Sequence, residues 1–302
     1  MRQIKEVLNK YELKPHRYIK SGKVFFIDTV DGRYAVKEKN TNNDIFKYLN
    51  TRNFNYYPKI LSSAQDDYEI TEYIDETPIP NEQKMLDLID ITSLLHNKTT
   101  HFKEIDEDEY KQIYEDVKNN IEYLKSYYND IITIIETKVY MSPSEYLLAR
   151  NISKVYNALN YCDKEIEAWY KLIEGKRKKR QVVLHNNLEI NHFIRNNSAY
   201  LTSWNKSKID IPIFDLYKLY KKHAIDYDFT EILKRYEKNY PLKEYERKLL
   251  FILMVMPDKL EFVSNQYMMC KKISEFIDYI YKTESLISPY YSETKPQNPQ
   301  TD

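Results

Sequence analysis

Residues 182–194 read VVLHNNLEINHFI, and this stretch decides how the rest of the chain is interpreted. Its first three residues are apolar, which predicts a short buried strand that ends at His185. The segments AYLTSW at 199–204 and PIFDL at 212–216 follow.

Upstream, the N-terminal residues read as short strands separated by turns. Five strands are predicted, at 18–19, 24–27, 34–37, 58–61 and 68–74. Asp31-Gly32 lies between the second and third of them, and Asp-Gly flanked by β-forming residues is a strong hairpin signal. With one inserted helix at about 44–52, the pattern predicts a small α+β lobe over residues 1–75.

After residue 75 the pattern becomes almost entirely helical. Apolar residues recur at intervals of three and four over 110–135 and again over 148–169. These two stretches predict an antiparallel helical hairpin within a helical lobe that spans residues 76–287. The polar, proline-bearing segment 288–302 is expected to be a disordered tail.

Composition excludes several classes of protein. Only three of the 302 residues are glycine, and neither a dinucleotide-binding nor a P-loop glycine motif occurs. The 46 basic and 46 acidic residues balance, so we expect no nucleic-acid partner and no attraction to a membrane surface. Cys162 and Cys270 are too few for a disulfide framework or a zinc site and are expected in the core. No apolar run is long enough to span a bilayer, which favours a soluble, cytoplasmic protein.

The segments around His185 and Asp215 resemble the aminoglycoside phosphotransferase and choline kinase branch of the protein-kinase-like fold. That family has the catalytic loop H-x-D-x-x-x-x-N and the metal motif [IL]-D-W-x(7)-P-x-x-D-L. His185 matches the family histidine, and four further positions fall at the family's intervals, namely Trp204, Pro212, Asp215 and Leu216. The resemblance covers roughly residues 15–285.

The resemblance implies a two-lobed fold with a small, five-stranded antiparallel N-lobe and a large, mainly helical C-lobe. It also implies that Lys37 faces the phosphates of a nucleotide and that Tyr73 and Ile74 lie in the hinge that contacts the base. His185 and Asp215 would organise the catalytic loop. The family's carboxylate partner of this lysine lies on the following helix, where Asp44 is the only acidic candidate. Aspartate is shorter than the usual glutamate, so the resemblance leaves open whether this ion pair forms.

The departures from the family pattern fall where phosphoryl transfer is carried out. Asn187 stands at the position of the catalytic carboxylate, His192 at that of a magnesium-binding asparagine, and Ser203 at that of the main metal carboxylate. An amide is not a useful base near neutral pH, and magnesium prefers hard oxygen ligands. We therefore predict a degenerate kinase without a metal site, for which ATP remains a possible cofactor and Mg²⁺ is disfavoured.

Three functions stay open at this point. The leading one is an inactive pseudokinase that acts as a binding or structural module for an unknown protein partner. One bacterial branch with degenerate motifs is associated with the endospore coat. The 30 tyrosines fit that location, although AT-rich codons produce the same composition. The second is an active small-molecule kinase with a displaced acid, Asp210 or Glu189. The third is a helical-bundle interaction protein, which requires that the first 75 residues contain no sheet.

Overall fold

The computed structural model describes residues 2–39, 43–63 and 65–292. Contacts divide the chain into two compact units. Unit 1 comprises Met1–His101, Gln181–Asp215 and Arg235–Tyr240, and unit 2 comprises Phe102–Arg180, Leu216–Lys234 and Pro241–Asp302. The boundary predicted at residue 75 therefore lies inside unit 1, because that unit combines the N-terminal residues with the segment around His185.

Four strands lie within residues 15–72, and the other five described strands lie between residues 101 and 210. The first ten elements are α1 (Arg2–Lys10), β1 (Pro15–Ser21), β2 (Val24–Thr29), β3 (Arg33–Glu38), α2 (Asn43–Thr51), β4 (Tyr68–Glu72), α3 (Asn81–Thr99), β5 (His101–Glu104), α4 (Glu107–Glu136) and α5 (Pro143–Ile173). The remaining ones are β6 (Lys178–Leu184), β7 (Phe193–Arg195), β8 (Ala199–Leu201), β9 (Lys208–Asp210), α6 (Ile213–His223), α7 (Phe229–Asn239), α8 (Glu244–Val255) and α9 (Gln266–Ser292).

The N-terminal sheet of unit 1 is antiparallel, with the strand order β1-β2-β3-β4. It has four strands where five were predicted. The segment predicted as a strand at 58–61 forms only an isolated bridge between Ile60 and Thr71. Pro58 at its start has no amide hydrogen to donate, which limits how far a ladder can extend there. The presence of this sheet excludes the unrelated helical bundle.

The two faces of this sheet have different roles. Ile27, Val36 and Ile70 alternate onto one face, where they form a buried cluster with Leu8 and other apolar residues of α1. Successive residues of a strand point to opposite faces. Their neighbours Phe26, Ala35, Lys37, Glu69 and Thr71 therefore occupy the other face, which α1 leaves open. No helix was predicted at 2–10, although α1 is the element that covers one face of the sheet.

Short strands frame the segment around His185. β6 pairs with β9 in antiparallel register, with Val183 opposite Ile209, and β7 pairs with β8, with Phe193 opposite Leu201. Val182, Val183 and Leu184 are fully buried, as their apolar character predicts. The loop after β6 therefore starts from a rigid, buried strand and returns through two paired segments.

Unit 2 is built mainly from the long helices α4, α5, α8 and α9. Pro143 opens α5 behind a capping box between Ser142 and Glu145. Trp169 of α5 is fully buried, and its indole N–H donates to the Tyr245 carbonyl at 2.9 Å. Among the described helices, none combines the length and apolar character needed to cross a membrane.

The last helix extends further than the sequence predicts. α9 continues to Ser292, so the first five residues of the segment predicted to be a disordered tail are helical. Aromatic packing explains the extension, because the rings of Tyr290 and Phe251 lie 5.0 Å apart and Tyr291 packs against Tyr161 of α5. The rest of that predicted tail, 293–302, lies outside the described residues. Of the two cysteines, Cys162 is buried and Cys270 half-buried.

Candidate functional site

The open face of the N-terminal sheet forms one wall of a cleft of about 380 Å³ within unit 1. This volume lies in the range of small-molecule sites, about 300–1,000 Å³. The opposite wall comes from residues 191–204, which include the β7–β8 hairpin. The residues of the cleft that matter below are Phe26, Lys37, Phe46, Tyr57, Glu69, Glu72, Tyr73, Ile74, Glu76, Ser203 and Trp204.

Lys37 forms an ion pair inside this cleft, and its partner is not Asp44, the acidic candidate on the following helix. The ammonium of Lys37 lies 3.0 Å from the Glu69 carboxylate, and the two residues are directly opposed in the β3–β4 register. The Glu69 side chain is only 4% exposed. Asp44 instead lies 3.5 Å from Lys47 on its own helix. The carboxylate partner therefore comes from the neighbouring strand, because cross-strand register brings Glu69 to Lys37.

Tyr73 and Ile74 form one edge of the cleft, where the chain leaves β4. The Tyr73 amide donates to the Arg33 carbonyl at 3.0 Å, which extends the sheet by one residue. The Tyr73 ring is held between Phe26, at 5.4 Å, and the Arg33 guanidinium, at 4.6 Å. Among the described residues, no acceptor is found for the Ile74 amide, which leaves an N–H donor at the cleft wall.

Asp215 ties three segments of unit 1 together. Its carboxylate is fully buried and accepts hydrogen bonds from the His185 amide at 2.9 Å and the Asn186 amide at 2.6 Å. It also accepts from Nε2 of His96 at 3.2 Å, while Nδ1 of that ring accepts from the Tyr236 hydroxyl at 2.6 Å. Asn186 adopts a left-handed backbone with φ of 60°. Asparagine tolerates this conformation better than most residues, so the turn after β6 is well matched to its sequence.

His185 is a structural element of the loop. Its Nε2 donates to the Thr202 carbonyl at 2.7 Å, and its ring packs edge-on against Trp204 with centroids 4.8 Å apart. Burial lowers the pKa of His185 to about 4, although the nearby Asp215 carboxylate opposes the shift. The ring is therefore neutral near pH 7. The hydrogen bond of its Nε2 holds the end of β6 against the segment that follows β8.

The three positions that depart from the family pattern are joined to one another. Nδ1 of His192 donates to the Asn187 carbonyl at 2.7 Å, and the Asn187 side-chain amide points to the Ser203 carbonyl at 3.4 Å. Ser203 adopts a left-handed backbone with φ of 64° and ψ of 45°. Of the three residues, only Ser203 lies in the cleft wall. The side chains of Asn187 and His192 therefore bond within the loop itself.

These side chains do not fit a magnesium ion. Mg²⁺ requires hard oxygen ligands, and in phosphoryl transfer an aspartate supplies the charge that offsets the cation. Ser203 has only a neutral hydroxyl, and Nδ1 of His192 already bonds within the loop. Within the described ranges, no three histidine, cysteine, aspartate or glutamate residues are grouped so that they could hold a metal. The donor set therefore disagrees with the family's metal chemistry.

The displaced acids considered from the sequence lie away from the cleft wall. Asp210 pairs with Lys208 at 2.6 Å, and its second oxygen accepts from the Ile211 amide at 2.8 Å. Neither Asp210 nor Glu189 is among the residues that line the cleft. No carboxylate therefore replaces the missing one from these two positions.

Glu69 is the residue of the site that sequence reasoning missed. It stands in the predicted strand at 68–74. An acidic residue on the same face of this strand as Thr71 is only a weak indication of a functional site. Only the register between β3 and β4 shows that it meets Lys37. Sequence alone does not determine this register, because the strands are separated by 29 residues that include α2.

Comparison with known proteins places the fold. No family model matches the sequence, and no curated protein matches it. An aminoglycoside phosphotransferase from Alicyclobacillus acidocaldarius is similar in structure, with a TM-score of 0.73, 10% sequence identity and coverage of 96% of this chain and 95% of that one.

Two structures of a spectinomycin phosphotransferase are also similar. The AMP-bound complex has a TM-score of 0.53 at 12% identity and covers 98% of this chain and 96% of that one. The complex with ADP and spectinomycin has a TM-score of 0.51 at 14% identity, with coverage of 94% and 98%. The predicted α+β, protein-kinase-like fold, with a small antiparallel N-lobe and a larger helical C-lobe, is confirmed. At such low identity the likeness shows the fold alone.

Proposed function

We propose that this chain is a catalytically inactive, kinase-like protein that acts as a binding module. The observation that carries the proposal is the contrast within one loop. The Asp215 carboxylate still organises the loop, whereas Asn187, His192 and Ser203 offer no carboxylate for proton transfer or for a metal. A cleft with a retained lysine can still hold a small molecule.

The ligand class that we propose for this cleft is nucleoside-like. One structure of the spectinomycin phosphotransferase, which has the same fold, holds AMP, and another holds ADP. These ligands are known for that protein. In this chain, support comes from the free Ile74 amide at the edge and from the aromatic residues of the wall. The proposal that a protein partner recognises the module rests on the sequence. Location in a spore coat stays a prediction, supported by tyrosine content.

A turnover assay tests the inactive assignment. We expect the purified chain to hydrolyse or transfer no phosphate from Mg²⁺-ATP above the level of a protein-free control, with amine, alcohol and sugar acceptors present. The control is the Asp210→Ala variant. It removes the acid that would replace the missing catalytic carboxylate if the chain were an active kinase. Metal-dependent turnover that disappears in Asp210→Ala and falls in Lys37→Ala would establish an active kinase and contradict the proposal.

A further inference from the structure

The charges in the cleft wall are unfavourable for a polyphosphate. Among the described wall residues, Lys37 is the one cation, whereas Glu69, Glu72 and Glu76 are acidic. Glu76 pairs with Lys84, which lies outside the wall. Lys37 is already neutralised by Glu69 at 3.0 Å. A triphosphate that brings several negative charges would therefore meet a wall whose formal charge is negative, without carboxylates arranged to hold a bridging metal.

Glu69, which lines the same cleft, has one carboxylate oxygen that is unsatisfied. Its Oε1 contacts Lys37, while Oε2 is buried and has no hydrogen-bond partner among the described residues. A buried charged oxygen without a donor is costly, so a ligand N–H placed there is strongly favoured. The Lys37 ammonium has three N–H groups, of which Glu69 takes one. The pair thus offers an acceptor and a donor side by side.

Aromatic side chains give the cleft its shape. The rings of Phe46 and Tyr57 lie 4.8 Å apart, and Trp204 packs against Phe46 at 5.9 Å. All three line the cleft, together with Phe26 and Tyr73. Apolar walls rich in aromatic rings favour a heteroaromatic ligand, which can pack against their faces or edges, and the few polar groups then fix its orientation.

We propose that the cleft binds a neutral nucleoside in preference to a nucleoside phosphate and without Mg²⁺, an inference that rests on the proposed binding function. The edge of a nucleobase carries an N–H donor beside an acceptor. The donor bonds to Oε2 of Glu69 and the acceptor receives a hydrogen bond from Lys37. The ribose adds no charge, so the ligand satisfies Glu69 without bringing anions toward Glu72.

Titration calorimetry of the full chain tests this preference. The probes are adenosine, guanosine and ATP, each with Mg²⁺ and with EDTA. We expect at least one of the two nucleosides to bind at least tenfold more tightly than ATP, with affinities that Mg²⁺ leaves unchanged. Tighter binding of Mg²⁺-ATP than of both nucleosides overturns the inference. A failure of both nucleosides to bind also overturns it. Neither outcome bears on phosphate turnover, so this inference and the inactive assignment fail separately.

A pair of charge-matched variants tests the role of Glu69. Glu69→Gln removes the negative charge beside Lys37, so ATP should bind about tenfold more tightly while nucleoside binding weakens. Glu72→Gln removes the same charge from an exposed position on the same strand and should change ATP affinity much less. Equal effects of the two variants on ATP would overturn the assigned role of Glu69. The wild-type titrations remain decisive if Glu69→Gln folds poorly.

Discussion

Two regions of the segment that runs from β6 into α6 differ sharply. We call them the buried end, around Asp215, and the cleft end, around Ser203, which lines the cleft. At the buried end, Asp215 accepts hydrogen bonds from two main-chain amides and from His96. At the cleft end, the resemblance to kinases places Asn187, His192 and Ser203 at acid and metal-binding positions, and of these three Ser203 lines the cleft. The hydrogen bonds of Asp215 therefore hold this segment without a carboxylate at any of those three positions.

The largest effect is expected at the buried end. Asp215→Ala should lower the free energy of unfolding by about 3–5 kcal/mol, because it leaves buried donors of the loop and of His96 without an acceptor. Chemical denaturation followed by circular dichroism measures the change.

The control for that prediction is Asp210→Ala, in the same segment. Asp210 is partly exposed and pairs with an exposed lysine, Lys208, so its loss should change stability by only about 1 kcal/mol or less. Equal losses from Asp210→Ala and Asp215→Ala would contradict the stabilising role assigned to the buried Asp215 carboxylate.

Acid should weaken the same buried end through His185. Its pKa is about 4 in the folded protein against an ordinary value of 6.5, so the unfolded chain binds more protons between these values. The stabilising contribution is complete above pH 6.5 and is lost as the pH falls toward 4, by about 3 kcal/mol in all. Denaturation at a series of pH values measures this slope.

The His185→Gln variant isolates this contribution from those of other acidic groups. Glutamine keeps a donor for the Thr202 carbonyl but does not titrate. The stability difference between wild type and variant should therefore shrink on going from pH 7 to pH 4. A difference that stays constant over this range would show that His185 does not titrate as its burial implies.

The smallest effect concerns the backbone at the cleft end. Ser203 has a φ of 64°, which costs a non-glycine residue roughly 1–2 kcal/mol. Ser203→Gly should therefore raise the free energy of unfolding by about 1 kcal/mol, measured by denaturation. Ser207→Gly is the matched control, since Ser207 has a φ of −61° and its hydroxyl donates to the Trp204 carbonyl at 2.6 Å. That variant should be less stable than wild type, and a gain in both would refute the role of the left-handed backbone.

Much of the fold was predictable from local patterns. The strands near 24–27 and 34–37, the long helices over 110–135 and 148–169, and the apolar strand before His185 all have strong periodicity or turn signals. Predictions failed where packing between distant residues decides the outcome. The α1 helix depends on the apolar face of the sheet, and the helical turn at 288–292 depends on contacts of Tyr290 and Tyr291.

By itself, the sequence determined the protein-kinase-like order of segments and the presence of Asn187, His192 and Ser203 at the three positions that depart from the pattern, because residue type and spacing are properties of the chain. Only the tertiary structure decided which groups meet. It paired Lys37 with Glu69 instead of Asp44 and left one Glu69 oxygen without a partner. It also kept Asp210 out of the cleft wall. Contacts of this kind depend on strand register and burial, which local sequence does not encode.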